Sequence, residues 1–228
     1  MIFLTGIKTR VLALSYRCGM NDCIESMVQE HELIVEVLAS LQAMTERLAA
    51  GEPVDRKDVA DFGRFFRDFA DKCHHGKEED RLFVKMVESG FPQDSGPIAV
   101  MLSEHDAGRQ EVRGLLAIGT GSGPLSEAER AKVSDHAGQF VPLLYGHIQK
   151  ENNILYPMAQ NAISPEELDR LDESCEAFDQ QIRSELNVEG LKALAADLVR
   201  RYPADPAQLA VYGGCGACHS AVGTGKHA

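Results

Sequence analysis

The sequence predicts an all-α protein: an antiparallel up-down four-helix bundle, an additional C-terminal helix and a Gly/Cys-rich tail. Three observations carry that expectation. Apolar residues recur at three/four spacing over long stretches. Runs of β-branched residues are short, and apolar/polar alternation is never sustained. The helical stretches are joined by short Gly/Pro loops, the connection that places helices side by side in a bundle. With 228 residues and 44% of them apolar, the chain can fill one core and carry appendages.

Residues 1–19 read as an N-terminal extension. Lys8 and Arg10 cut its hydrophobic part and no small-residue cleavage site follows, so it does not read as a signal peptide, and Met20 stands as an alternative start. The first helix covers Asn21–Ala50, with Ile24, Met27, Val28, Ile34, Val35, Leu38, Leu41 and Leu48 on one stripe. "AAGEPVD" breaks it, Asp55 is the expected N-cap of a second helix, and Val59, Phe62, Phe66 and Phe69 give that helix an apolar face to about Glu88. "SGFPQDSGP" closes it, and a third helix spans roughly Ile98–Ile118. After "GTGSGPL", Ser126 with Glu129 forms a capping box for a fourth helix ending near Asn161. Ser164, Pro165 and Glu167 repeat the device for a fifth, interrupted around "LNVEG" and ending near Tyr202. The expected organisation is therefore 1–19 extension, 20–162 bundle, 163–203 helical extension and 204–228 flexible Cys/His tail.

A net charge of −12 with no basic cluster argues against a nucleic-acid partner. No apolar run approaches the roughly 20 residues of a membrane span. The six cysteines, in a chain without an export signal, are expected as free thiols in a reducing cytoplasm.

The chemistry sits inside the helical stripes. His31 lies in the seam of the first helix between Val28 and Ile34. On the second helix Phe62, Phe66, Ala70, His74, Glu78 and Leu82 advance by fours, so His74 and Glu78 share the phenylalanine face. His105 lies in the seam of the third helix, and His147 and Glu151 in that of the fourth. A carboxylate in a core costs several kcal/mol unless something answers its charge. Two carboxylates among four histidines call for a cation, and that donor set suits iron, manganese or zinc.

An internal repeat strengthens this. "QEHELI" around His31 matches "SEHDAG" around His105, and "HHGKEEDRLF" from His74 matches "HIQKENNILY" from His147. The His31–His74 and His105–His147 separations are 43 and 42 residues. Each half supplies one His and then one His-x-x-x-Glu, so two carboxylates can bridge two metals that take two imidazoles each. Open positions on a redox metal then serve a small ligand such as dioxygen, peroxide or nitric oxide.

The pattern resembles the hemerythrin-like HHE cation-binding family over roughly Met20 to Ala162. The resemblance implies an up-down bundle with a bridged non-haem di-iron centre, and it implies His31, His74, Glu78, His105, His147 and Glu151 as metal ligands. The oxygen-carrying branch has another His one turn after the third-helix ligand, where this chain has Arg109, and the fourth-helix carboxylate is Glu rather than Asp. Both departures point away from reversible oxygen carriage. They leave oxidant binding, sensing or detoxification, iron storage or sensing, and a zinc-stabilised structural bundle.

Other residues carry plainer expectations. The helical neighbours of His75, Asp71 and Glu79, are polar, which favours a place on the surface or behind the ligands, with ligation, as in some members of the family it resembles, as the alternative. Glu30 and Glu104 read as helix-surface charges, Tyr145 and Tyr156 as packing, and Cys73 as a small core residue. His136 is expected as a core or entrance histidine, too far along its helix to join the centre. "CGACH" matches the CxxCH pattern of covalent haem attachment at Cys215, Cys218 and His219 but stands alone and is assigned no role.

Overall fold

The computed structural model describes residues 21–213. The N-terminal extension with Met20, and the CxxCH residues Cys215, Cys218 and His219, lie outside the described residues. Within them the chain is helical, with α1 (Asp22–Ala49), α2 (Arg56–Phe65), α3 (Phe83–Glu88), α4 (Gly96–Gly119), α5 (Glu127–Lys150), α6 (Tyr156–Ala162), α7 (Pro165–Glu185) and α8 (Val188–Arg201). Three π-helical segments interrupt the α-helices: π1 (Phe66–His75), π2 (Glu78–Leu82) and π3 (Glu151–Leu155). The second bundle helix is therefore the run 56–88 and the fourth the run 127–162, each α-helical at its ends and π-wound at mid-length. A 3-10 helix, Pro206–Tyr212, follows α8.

Capping explains most of the starts. Asn21 accepts from the Ile24 amide, and the Ser126–Glu129 capping box forms in full. Asp55 sits at the N-cap position but makes no side-chain cap bond. Ser164 accepts from the Glu167 amide, while the Glu167 carboxylate accepts from Lys85 at 2.6 Å and so ties α7 to α3.

Two apolar clusters lie above and below a polar layer. One holds Ile34, Leu38, Phe62, Phe66, Val112 and Phe140; the other holds Ile24, Met27, Leu82, Met101, Leu155 and Tyr156. Between them the buried polar residues include His31, His74, His75, Glu78, His105, His147 and Glu151. Along α1 the order is Met27, His31, Ile34; along 56–88 it is Phe66, His74, Leu82; along α4, Met101, His105, Val112; and along 127–162, Phe140, His147, Leu155. Each helix thus crosses the layer in the sense opposite to its predecessor, the alternation of an antiparallel bundle.

The fifth helix breaks at Leu186–Asn187 into α7 and α8, as the interruption at "LNVEG" predicts. Leu171 and Cys175 of α7 join one core cluster, and Leu191, Ala195 and Leu198 of α8 join the other. Part of the segment expected as flexible tail is docked, since Leu209 of the 3-10 helix is fully buried. The cysteine expectation needs correction. Cys23 and Cys175 form a disulfide, with Cα atoms 5.9 Å apart, whereas Cys73 is free and buried. The pair is 152 residues apart in sequence, and only the packing of α7 on the first turn of α1 brings it together. No helix among the described residues is long and apolar enough to cross a membrane.

Candidate metal centre

The four histidines and two glutamates expected from the seams meet in the polar layer, each 2% exposed or less. Their donor atoms fall into two overlapping groups, each within 4.8 Å: His31, His74, Glu78 and Glu151, and His75, Glu78, His105 and His147. Glu151 straddles the two, with Oε2 3.2 Å from His31 Nε2 and Oε1 2.9 Å from His147 Nε2. Glu78 Oε2 lies 3.8 Å from His74 Nε2 and 3.4 Å from His105 Nε2. The two imidazole pairs are near copies: His31 and His74 rings are 4.4 Å apart at 61°, His105 and His147 rings 4.7 Å apart at 64°.

His75 departs from its expected place, being buried and stacked on His105 with ring centroids 3.9 Å apart. The cause is the π1 winding. An i→i+5 turn holds more residues than an α-turn, so neighbouring side chains diverge less and His74 and His75 both face inward. Counting by α-helical fours placed His75 with Asp71 and Glu79; Asp71 Oδ1 is indeed 3.5 Å from His75 Nδ1, but the ring reaches the core.

Partners behind the histidines aim them. His74 Nδ1 donates to Glu30 Oε2 at 2.9 Å, His147 Nδ1 to Glu104 Oε2 at 2.9 Å, His105 Nδ1 to Glu79 Oε1 at 2.6 Å and His31 Nδ1 to Asn152 Oδ1 at 2.8 Å. These bonds fix the tautomer that leaves Nε2 free toward the centre. Lys77 holds Glu30 at 2.7 Å and Lys150 holds Glu104. Glu30 and Glu104 are thus half-buried braces, not surface charges. The signal was present in the repeat, since each Glu precedes a seam His and each Lys sits three residues after another.

Tyr156 also does more than pack. Its ring stacks on His31 and its hydroxyl donates to Glu78 Oε1 at 2.7 Å. Phe83, its counterpart in the repeat, stacks on His105 without a hydroxyl. Tyr145 only packs at the edge of the core. His136 is neither core nor ligand: it is half-exposed and donates to Glu111 Oε2 at 2.8 Å.

Arg109 lies across the mouth of the centre, where Asp71 accepts from it at 2.8 Å and Glu79 at 2.7 Å. Burial works against the Asp71 carboxylate, but His75 and Arg109 outweigh it and hold it down to about 2. Burial pushes His74 well below the ordinary imidazole range and His75 down to about 3. Burial also opposes charge on His147, but Glu151 and Glu104 outweigh it and raise it to about 9; Glu151, Glu78 and Glu79 likewise raise His105.

The donor set fits a cation. His31 Nε2, His74 Nε2, Glu78 Oε2 and both Glu151 oxygens are buried, crowd one another and make no hydrogen bond of good geometry. Orphaned buried groups of this kind are costly, and a metal offsets that cost for all of them together.

A helical bundle with a buried His/Glu layer of this construction is a hemerythrin-type fold. Residues 22–159 match the hemerythrin HHE cation binding domain, and the chain belongs to that family. It is 30% identical to the iron-sulfur cluster repair protein YtfE of Musicola paradisiaca over 61% of this chain and 65% of that protein. It is 30% identical to a probable iron-sulfur cluster repair protein of Haemophilus influenzae over 41% of this chain and 43% of that one. An uncharacterized protein of Mycobacterium tuberculosis is 20% identical over 76% of this chain and 68% of its own length. The match thus spans about two-thirds or less of these relatives. No solved structure matches. Membership implies iron binding, and the two donor groups supply a place for it.

Proposed function

We propose that this chain is a non-haem di-iron protein that binds and reduces a small oxidant: peroxide, dioxygen or nitric oxide. The observation that carries this reading is Glu151 with one oxygen turned to each histidine pair, while Glu78 lies between His74 and His105. Paired carboxylates between two imidazole pairs suit two ions, not one. His31 and His74 would hold one ion and His105 and His147 the other, with Glu78 and Glu151 shared between them and His75 available on the second side.

Two bound ferrous ions supply two electrons. The chain does the rest. The carboxylates behind His74, His105 and His147 keep the imidazoles aimed, the apolar clusters exclude bulk water, and the Tyr156 hydroxyl holds one Glu78 oxygen by a hydrogen bond. Arg109, paired with Asp71 and Glu79, stands where oxygen carriers have a further imidazole.

The experiment is metal analysis of the purified protein with its visible spectrum, followed by rapid mixing of the reduced form with hydrogen peroxide. Two irons per chain, blue-region charge-transfer absorption and re-oxidation support the reading. One colourless zinc per chain sinks it.

A second reading draws on the names of the relatives. Iron held here serves storage or cluster repair. Rapid transfer of the iron to a cluster-depleted acceptor protein, without a peroxide reaction, favours it over the first.

A further inference from the structure

The repeat makes the two halves of the centre near copies, so the places where they differ carry information. At the repeat-equivalent positions of His75, Asp71, Arg109 and Glu79 stand Ile148, Leu144, Val35 and Asn152. All four differences gather on the His105–His147 side. The same side opens into a cavity of about 230 Å³ whose inner end is lined by His75, His105 and His147.

The walls of that cavity are apolar: Phe66, Ala70, Val112, Leu116, Phe140 and Leu144. Gly108 leaves room there, because a Cβ at that position would lie 3.4 Å from the Phe140 ring. Exposed Arg113 and half-exposed Arg67 mark the solvent side. The volume is too large for a diatomic ligand or hydrogen peroxide alone, since a water occupies about 30 Å³ in the liquid, and a dry cavity of about 150 Å³ in another protein accepts benzene. Apolar walls of this size favour a benzene-sized organic body over a file of waters.

The inner end selects against an anion. Asp71 and Glu104 line it and Glu78, Glu79 and Glu151 stand behind its histidines, while Arg109 is paired with Asp71 and Glu79, and Arg67 with Asp68. A carboxylate terminus meets like charge, whereas an uncharged oxygen terminus does not.

We propose that this cavity binds an uncharged organic molecule with a benzene-sized apolar body and a terminal oxygen, so that the peroxide chemistry is directed at organic hydroperoxides. The substrate class rests on the di-iron reading above; the ligand site does not. With two ferrous ions held by these residues, ROOH would take up two electrons, one from each ion, and two protons from solvent. The O–O bond breaks, one oxygen leaves as the alcohol ROH and the other as water.

The test has two arms. In the first, cumyl alcohol and benzoate are titrated into metal-free protein by calorimetry. The alcohol is expected to bind saturably and benzoate at least about tenfold more weakly, and Gly108→Leu is expected to weaken the alcohol by at least about tenfold. In the second, reduced iron-loaded protein is mixed with cumene hydroperoxide or hydrogen peroxide. The ratio of the two rates is expected to fall at least about tenfold in Gly108→Leu and in Val112→Phe, the second variant guarding against misfolding of the first. Absence of alcohol binding to the wild-type protein, or a rate ratio that folded variants leave unchanged, overturns the proposal. Alcohol binding without re-oxidation by either peroxide overturns the substrate class and the di-iron reading together, and keeps the ligand site.

Discussion

Lys77 Nζ, with no exposed surface, sits between Glu30 Oε1 at 2.7 Å and Asp179 Oδ1 at 2.8 Å. Glu30 is the brace of His74, and Asp179 belongs to α7, so this lysine links the helix outside the bundle to the aim of a histidine inside it. Burial opposes the charge on Lys77, but Glu30 and Asp179 outweigh it and hold the ammonium protonated. Lys77→Met removes hydrogen bonds to two charged groups, an effect of about 1.5–3 kcal/mol each at most, reduced here because both carboxylates keep some solvent access. Glu30→Gln keeps the packing but loses the anion behind His74. The expected result is a 10–100-fold loss of iron affinity in Glu30→Gln, measured by chelator competition. Unchanged affinity would show that Glu30 does not orient a ligand.

His75 separates two descriptions of the centre. With six donors, His75→Ala leaves metal content untouched. With seven, it weakens one position and spares the other, because His75 belongs only to the group with His105 and His147. The expected order is loss of most metal in His74→Ala and Glu151→Ala, and retention of about one ion of two in His75→Ala under a chelator that leaves wild-type protein loaded. Metal analysis on the three variants decides, and a fully loaded His75→Ala protein would return His75 to a bystander's role.

Much of this was legible in the chain. The helices follow from three/four apolar spacing, and the caps at Asn21, Ser126 and Ser164 fix their starts. The repeat pairs His31 with His105 and His74 with His147 without any coordinates. What escaped has physical reasons. π-winding cannot be counted from α-helical fours, so His75 was turned to the wrong face. Glu30 and Glu104 read as surface charges because their partners lie across helix–helix contacts, 44 and 43 residues away respectively. The Cys23–Cys175 pairing depends on where α7 docks, which no local spacing encodes.

That disulfide closes a loop of more than 100 residues, and the chain-entropy account gives about 4–5 kcal/mol for loops of that length, with about 2–4 kcal/mol typical of measurement. It adds to the Lys85–Glu167 and Lys77–Asp179 ion pairs and to the hydrogen bonds from Asn21 to Leu168 and from the Cys23 amide to Asp172 that hold α7 on the bundle. Cys175→Ser is expected to lower the melting temperature and to speed proteolysis within α7 before the bundle itself is cut. Identical melting of the wild-type protein with and without dithiothreitol, where mass spectrometry shows the bond reduced, would leave the disulfide without a stabilising role.

The metal-free protein is expected to be most stable near pH 6.5, and two histidines set the limbs. His75 is lowered to about 3 in the fold, so between pH 6.5 and 3 the unfolded chain takes up the proton that the native state refuses. Stability is therefore present above about 6.5 and lost as pH falls toward 3; His74, also lowered by burial, steepens this limb. His147 is raised to about 9, so its protonated form favours the fold fully below about 6.5 and that contribution disappears as pH rises through 9. Raised His105 adds to the same alkaline limb. Bound metal replaces the protons on these ring nitrogens, so loading removes the alkaline limb and releases protons on uptake. Melting curves of metal-free and iron-loaded protein from pH 4 to pH 10 check this. Parallel profiles for the two forms would mean that the metal does not sit on His105 and His147.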